Sequence, residues 1–315
     1  MLEKLGGEQE NILRVLTYHR VGFASMRPRP SPGLLSASPD EFHRQMSYLA
    51  ENCNVISMEQ LIDVRENRRM LPARSVLITF DDAYCDFKEF AWPVLSRLNL
   101  PVTLFVPTSF PGSRGMIFWW DKLYQALMET SHQGKLDSPA GEILLNTDIQ
   151  RLKSFKSLRD FLKNIPHYEA MDLVDEVCAQ LNGKPHSEPL VLDWDELREL
   201  AHRGVVLGAH TQTHPLLNRI PPEWAKKEIH ASLIDLRREI GSVLPIFAFP
   251  SGGFDDRVIN ILKYEGIEVA FTTIRGINHL PSVDWLQLRR INVGRNTSLG
   301  ILRAQLLPWF AHFNN

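Results

Sequence analysis

Two carboxylates stand side by side in Thr79-Phe80-Asp81-Asp82, directly after the apolar run Val76-Leu77-Ile78. Adjacent acids repel each other unless a positive charge takes up part of their field. A divalent cation on one of them would leave the other free to act as a base. Further ligands lie in His210-Thr211-Gln212-Thr213-His214-Pro215, which also follows an apolar run. Two imidazoles and one carboxylate leave coordination positions open for water and substrate, as in a catalytic rather than a structural zinc site. A metal ion held there would acidify a water and polarise a carbonyl, and the spare aspartate would take the proton. The same donor set holds Fe(II) in oxygenases, so hydrolysis and oxygen chemistry both stay open on the ligands alone. Neither pair is specific by itself. Their shared position at the end of an apolar run strengthens both, and Pro215 keeps the histidines out of a helix interior.

The apolar runs are the elements that must position these groups. Ile12–Tyr18, Val76–Phe80, Val102–Val106, Val205–Ala209, Ile246–Phe249, Val269–Thr273 and Leu288–Val293 are short and mostly unalternated, as strands buried on both faces are. Helical patterns lie between them. One starts at Pro39, with Phe42, Met46 and Leu49 on one face; others span Asp193–Arg203, Glu223–Ile240 and Asp255–Glu265, the last ending before Gly266. Alternating strands and helices imply parallel strands joined by right-handed crossovers, and seven of them suit an α/β barrel. In such folds the C-terminal strand ends share one face, where Asp82 and His210 can meet. From about residue 115 to 190 the rhythm breaks. Trp119-Trp120-Asp121 opens an amphipathic stretch, and residues 150–182 are helical and charged. This reads as a helical insertion within a single domain spanning residues 1–315. It is a candidate lid, although an inert excursion or an oligomer contact would look the same. Trp119-Trp120 are candidates for stacking on a ligand ring; Trp92, Trp224, Trp285 and Trp309 read as packing residues.

Of 315 residues, 44% are hydrophobic and 23% charged, with a net charge of −2, so a full core is expected and disorder is not. No basic excess attracts a nucleic-acid backbone, and nucleic acid is not an expected partner. Cys53, Cys85 and Cys178 are widely spaced, which argues against a disulfide frame or a thiolate zinc site. No transmembrane segment is evident, and Met1–Glu8 lacks an apolar core of signal-peptide length, so a cytoplasmic location is expected.

Thr79-Phe80-Asp81-Asp82 followed by His210-Thr211-Gln212-Thr213-His214-Pro215 resembles the polysaccharide deacetylases of the NodB-homology type, carbohydrate esterase family 4. Leu16-Thr17-Tyr18-His19-Arg20-Val21, Leu192-Asp193-Trp194-Asp195-Glu196-Leu197 and Phe247-Ala248-Phe249-Pro250-Ser251-Gly252-Gly253 are similar to the segments flanking those motifs. The resemblance runs from about Ile12 to Val293, the insertion excepted. It implies a distorted (β/α)7 barrel and hydrolysis of acetyl groups, mostly N-acetyl, on the amino sugars of a carbohydrate substrate. It also implies a divalent metal, usually zinc, on Asp82, His210 and His214, with Asp81 as general base. Phe249 and Pro250 would shape the pocket wall, and a backbone N–H at Ala83 or Tyr84 would help hold an oxyanion.

Three departures from that pattern bear on mechanism. Ala83 stands where the family has glycine, which strains any turn needing positive φ. Ala248 replaces the arginine that orients the base, and Arg290 is the expected substitute. The late histidine that acts as general acid is missing. His19 is its expected replacement, since one branch of the family carries a Tyr-His near its start, and His279 is a fallback. The alternatives are a related amide hydrolase with a non-sugar substrate and a carbohydrate-binding protein that has lost catalysis.

Overall fold

The apolar runs become strands because five of the seven are buried along their whole length or nearly so, while Val269–Arg275 is exposed over its last three residues and Leu288–Asn292 at Arg289 and Asn292. They are β1 (Ile12–Tyr18), β2 (Ser75–Phe80), β3 (Thr103–Val106), β4 (Val206–Ala209), β5 (Ile246–Ala248), β6 (Val269–Arg275) and β7 (Leu288–Asn292). This computed structural model describes residues 11–26, 29–113, 115–182 and 190–308; the expectations about the first ten residues and Trp309 lie outside that set. Each strand pairs in parallel with the next in chain order, and β7 pairs in parallel with β1, so seven strands close into a barrel. A two-residue strand, Asn54–Val55, lies along the start of β2. Another, Asn278–His279, runs antiparallel to the start of β1.

Alternation along each strand divides the core. Leu13, Val15, Leu77, Phe105, Ile246, Ala248, Phe271 and Leu288 pack as one cluster. Residues from six strands meet this way only inside the barrel. The opposite faces pack against α1 (Pro39–Asn52), α3 (Trp92–Arg97), α7 (Trp194–His202), α8 (Pro222–Ile240), α9 (Asp256–Tyr264) and α10 (Leu299–Gln305). Helix α2 (Met58–Asn67) instead adds Met58, Leu61 and Ile62 to the interior cluster. Side-chain caps define several helix starts. Ser38 accepts from Glu41 N–H, Asp193 and Glu196 form a reciprocal capping box, and Asp255 accepts from two backbone N–H groups.

Between β3 and β4 lies the expected excursion, with α4 (Trp119–Glu129), α5 (Asp148–Leu162) and α6 (His167–Gln180). It is not wholly helical. Lys135–Ser138 and Gly141–Leu144 form an antiparallel hairpin, mostly exposed, whose polar sequence hides it from an apolar-periodicity reading. The stretch read as one helical run breaks into two helices before Pro166. Trp224 is 52% exposed and so is not a packing residue, whereas Trp92 is buried. No disulfide joins the three cysteines. No helix among the described residues is long and apolar enough to cross a membrane.

One glycine marks how tightly the interior closes. A Cβ on Gly208 of β4 would meet the Phe105 ring at 2.6 Å and Ile246 Cδ1 at 3.0 Å. Gly208→Ala is therefore expected to destabilise the fold by about 1–3 kcal/mol through overpacking, measured as a lower urea midpoint at unchanged slope.

Candidate active site

The C-terminal ends of the strands gather the polar residues that the sequence singled out. Asp81 and Asp82 follow β2, His19 follows β1, and His210 follows β4. Parallel register aligns Tyr18 with Phe80, and Asp81 N–H donates to the Tyr18 carbonyl at 3.0 Å, so His19 emerges beside Asp81. Across the mouth, His210 N–H donates to the Val106 carbonyl at 3.2 Å. His19, Asp81, Asp82, His210 and His214 all line one cavity of about 360 Å³, a size ordinary for a small-molecule site.

Asp82, His210 and His214 each present one ligand atom within 4.8 Å of the others. Asp82 Oδ1 lies 3.5 Å from His210 Nε2 and 3.3 Å from His214 Nε2. Ligands bound about 2.1 Å from a tetrahedral ion stand about 3.4 Å apart. Proton positions point the same way. His210 Nδ1 is 2.7 Å from the Ala248 carbonyl, which can only accept, so Nδ1 carries the hydrogen. A neutral His210 would then face the Asp82 carboxylate with its Nε2 lone pair, and against burial Asp82 and Asp81 raise the imidazole pKa, so that without an ion between them a proton stands in for the cation. A cation between them turns that repulsion into ligation, and an outer hydrogen bond that fixes the tautomer is the usual support of a metal-bound histidine. Burial holds the His214 imidazole below its ordinary pKa, despite the pull of Asp82. At Asp82 burial alone would raise the carboxyl, but His210 and His214 outweigh it and hold the group far below the usual carboxylate range. These residues fit a divalent cation.

Asp81 is held apart from this trio. Arg290 is fully buried, and its Nη1 and Nη2 donate to the two Asp81 oxygens at 2.8 and 2.7 Å. Its Nε donates to the Thr272 carbonyl at 2.8 Å. Burial opposes ionisation of Asp81, and the guanidinium together with His210 overcomes it, leaving the carboxyl below its ordinary value. This bidentate fork fixes both position and charge. The side chain comes from β7, where the sequence reading expected a substitute for the arginine missing at Ala248.

His19 and His279 separate clearly. His19 N–H donates to Ser36 Oγ at 2.9 Å, and its ring lines the cavity. His279 pairs with Ile12 at the opposite end of β1 and borders a different cleft, so it cannot serve this cavity. The Phe249 and Pro250 side chains do not line the cavity either. Phe249 stacks on Phe254 at 4.8 Å in the core, and Ser251 supplies that stretch of wall. Trp119 and Trp120 do line it. One face of Trp120 is already covered by Phe118 at 4.5 Å, and its ring meets His214 at 4.7 Å.

The turns carrying the ligands are strained. Asp82 and Ala83 have φ of 73° and 52°, Thr211 and His214 have 64° and 61°, and Ser251 has 49°. Each such non-glycine residue costs about 1–3 kcal/mol. Neighbouring structure holds the turns in place. Cys85 N–H donates to the Leu190 carbonyl and Leu192 N–H to the Ala83 carbonyl, which clamps the acid turn from outside. Glu228 of α8 accepts from the Gln212 and Thr213 backbones and from Thr213 Oγ1, at 2.9, 2.8 and 2.6 Å. Thr211 Oγ1 accepts from His214 N–H at 3.0 Å.

A buried polar chain supports His214 from behind, and nothing in the sequence reading anticipated it. Trp120 Nε1 donates to Tyr84 Oη at 2.9 Å, and Tyr84 Oη donates to Asp121 Oδ2 at 2.7 Å. Arg20 lies 4.5 Å over the Tyr84 ring and pairs with Asp86 at 2.6 Å. Burial pushes the Asp121 carboxyl up to about 6, against the pull of Arg20 and of the Tyr84 hydrogen bond. Its ordinary value is about 3.9. The folded chain thus binds this proton more tightly than the unfolded chain. The resulting stabilisation is complete below about pH 4 and is lost as pH rises through about 6. Asp121→Asn removes that loss. Between pH 4 and 7 its stability should rise relative to the parent by up to about 3 kcal/mol, read from urea titrations of chelator-treated protein.

The sequence profile described as polysaccharide deacetylase matches residues 68–270 of the chain. The poly-beta-1,6-N-acetyl-D-glucosamine N-deacetylase of Staphylococcus epidermidis is 33% identical over 79 residues, a match covering 25% of this chain and 27% of that protein. The deacetylase PplD of Streptococcus pyogenes, solved in complex with acetate, superposes with a TM-score of 0.64 at 20% identity, over 95% of this chain and 100% of its own. For IcaB from Ammonifex degensii the TM-score is 0.62 at 18% identity, over 94% and 97%. At these identities the two structures speak to the fold alone, and the fold they share with this chain is the barrel expected from its sequence.

Proposed function

The chain belongs to the polysaccharide deacetylase family, and we propose that it is a metal-dependent hydrolase removing N-acetyl groups from amino sugars of a polysaccharide, an oligosaccharide or an activated sugar intermediate. The observation that carries this reading is the convergence of Asp82, His210 and His214 beside an Asp81 clamped by Arg290. The name of the Staphylococcus relative supports an N-acetylated sugar as substrate.

Asp82, His210 and His214 would hold the ion, with zinc the first choice for this donor set. A divalent ion there supplies an acidified water and a Lewis acid for the acetamido carbonyl. Asp81 accepts the proton of the attacking water. The Arg290 fork keeps that carboxylate ionised and aimed, so it enters the reaction as a base. His19 donates a proton to the leaving nitrogen as the tetrahedral intermediate collapses, which gives the free amine and acetate. A backbone N–H at Ala83 or Tyr84 stabilises the oxyanion.

The rival reading, a sugar-binding protein without catalysis, drew on Ala83, Ala248 and the absent late histidine. Arg290 on Asp81 and His19 in the cavity weaken two of those grounds. The oxygenase reading is disfavoured by a closed parallel barrel and by the second acid.

Asp81→Asn is expected to keep its bound metal and lose about 10²–10⁴-fold in kcat on N-acetylated amino-sugar oligomers. Asp82→Asn should lose the metal itself, measured by elemental analysis. Turnover of the parent should persist without oxygen and stop on chelation. Asp81→Asn turning over like the parent would remove the catalytic reading. Arg290→Ala leaves a buried carboxylate unpaired, so about 3–5 kcal/mol of stability should go with the activity, seen in urea unfolding.

A further inference from the structure

Two cations of α5 and its C-terminal cap enter the same cavity. Arg159 and Lys163 both line it, together with His19 and Gly33. Arg159 reaches Gly33, where a Cβ would lie 3.4 Å from its Nη1. Arg159 also meets Asp160 at 2.8 Å on the exposed side. Lys163 has no such relief. Among the described residues nothing pairs or hydrogen-bonds with its ammonium. The nearest acids are committed elsewhere, Asp160 to Arg159 and Asp82 to the histidines. Burial, then the charge of Arg159, holds the ammonium below the ordinary lysine value, with Asp160 and then Asp82 opposing that shift without cancelling it. Like charges four residues apart on a helix repel. The negative end of α5 offsets part of this, but it is no counter-ion. A half-buried cation aimed into a cavity beside a second cation calls for an anion that the protein does not supply.

We infer that the substrate is an N-acetylated amino sugar carrying an anionic group, a phosphate or a carboxylate, next to the acetamido ring, and that Lys163 and Arg159 receive that group. The inference rests on the deacetylase reading for the identity of the sugar, not for the placement of the charge. Asp81 is neutralised by Arg290, so the cavity carries little negative charge of its own to repel such a ligand. Lys163 would be a specificity residue and would take no part in the proton transfers.

Binding to the metal-loaded full chain is measured by calorimetry with three probes. They are the methyl glycoside of N-acetylglucosamine, N-acetylglucosamine 1-phosphate, and a disaccharide of N-acetylglucosamine with glucuronic acid. The parent is expected to bind at least one anionic probe about tenfold or more tightly than the neutral one. That gap should shrink as salt rises. It should shrink in Lys163→Ala, close when Arg159→Ala is added, and persist in Lys163→Arg, with melting temperatures unchanged. Whichever anionic probe shows the gap identifies the source of the charge. Equal binding of all three probes by the parent overturns the inference. So does a gap that survives undiminished when Lys163→Ala and Arg159→Ala are combined, because the anion would then sit on the metal rather than on the two cations. Should the charge preference hold while no probe is deacetylated, the deacetylase reading fails and the anion site stands.

Discussion

The pairing of Arg290 with Asp81 is the contact on which the site depends. Two charges are taken out of water, which is costly unless each finds full partners. Here the guanidinium spends two donors on the carboxylate and a third on the Thr272 carbonyl. The pair joins β7 to the end of β2, and only β1 lies between those strands in the closed barrel. Ring closure is therefore a condition of the base, and the base holds the two flanking strands in one arrangement. Asp82, one residue further on, is released from that fork and turned toward the histidines by a positive φ.

Rigid strands and strained turns divide the labour at the mouth. Strand register brings His19, Asp81 and His210 to one level, because each continues a ladder hydrogen bond or directly follows a paired residue. Finer aiming comes from the left-handed residues after the strands, which would relax into other shapes if they were free. Glu228 on one side and the Leu190–Leu192 segment on the other prevent this. Such strain is tolerated where the surroundings over-determine the backbone, and a well-packed barrel provides those surroundings. Ala83 can hold a φ that suits glycine because its carbonyl and its neighbours are pinned.

Most of the strands were legible because both of their faces are buried, so their sequences are apolar without alternation, and the predicted and observed ends differ by two residues at most. The acids and histidines were legible for a related reason: a charged group directly after a buried strand has few places to be except the mouth. Arg290 could be singled out as a charge inside a late strand, and a missing arginine elsewhere supplied the motive. Other features left no such mark. Asp121 and Tyr84 are ordinary residues on separate elements, and only the fold brings them together. Glu228 sits on a helix whose periodicity says which face is buried but not what its flank will hold. Phe249 follows a strand just as His210 does, yet its side chain turns into the core, because order along the chain does not fix the direction of a turn. The hairpin at Lys135–Leu144 is too polar to betray itself by hydrophobic period. Lys163 resembled any other lysine on a charged helix until its surroundings were known.

The separation of Arg290 from Asp81 has a kinetic side. They lie 209 residues apart, and a ribosome adding about 5–20 residues per second needs about 10–40 s to travel between them. During that interval β1 and β2 can pair while the other edge of β1 stays open, with its backbone donors and acceptors exposed. Contacts of such long range are slow to form, because the entropy of closing the loop is lost before any of the contacts exist. The acid pair thus emerges early and stays solvated, and the last strand both seals the exposed edge and brings the guanidinium that takes Asp81 out of water. A nascent chain of this protein therefore passes through an open sheet vulnerable to edge-to-edge pairing with its neighbours, and it leaves that state in the same step that completes the active site.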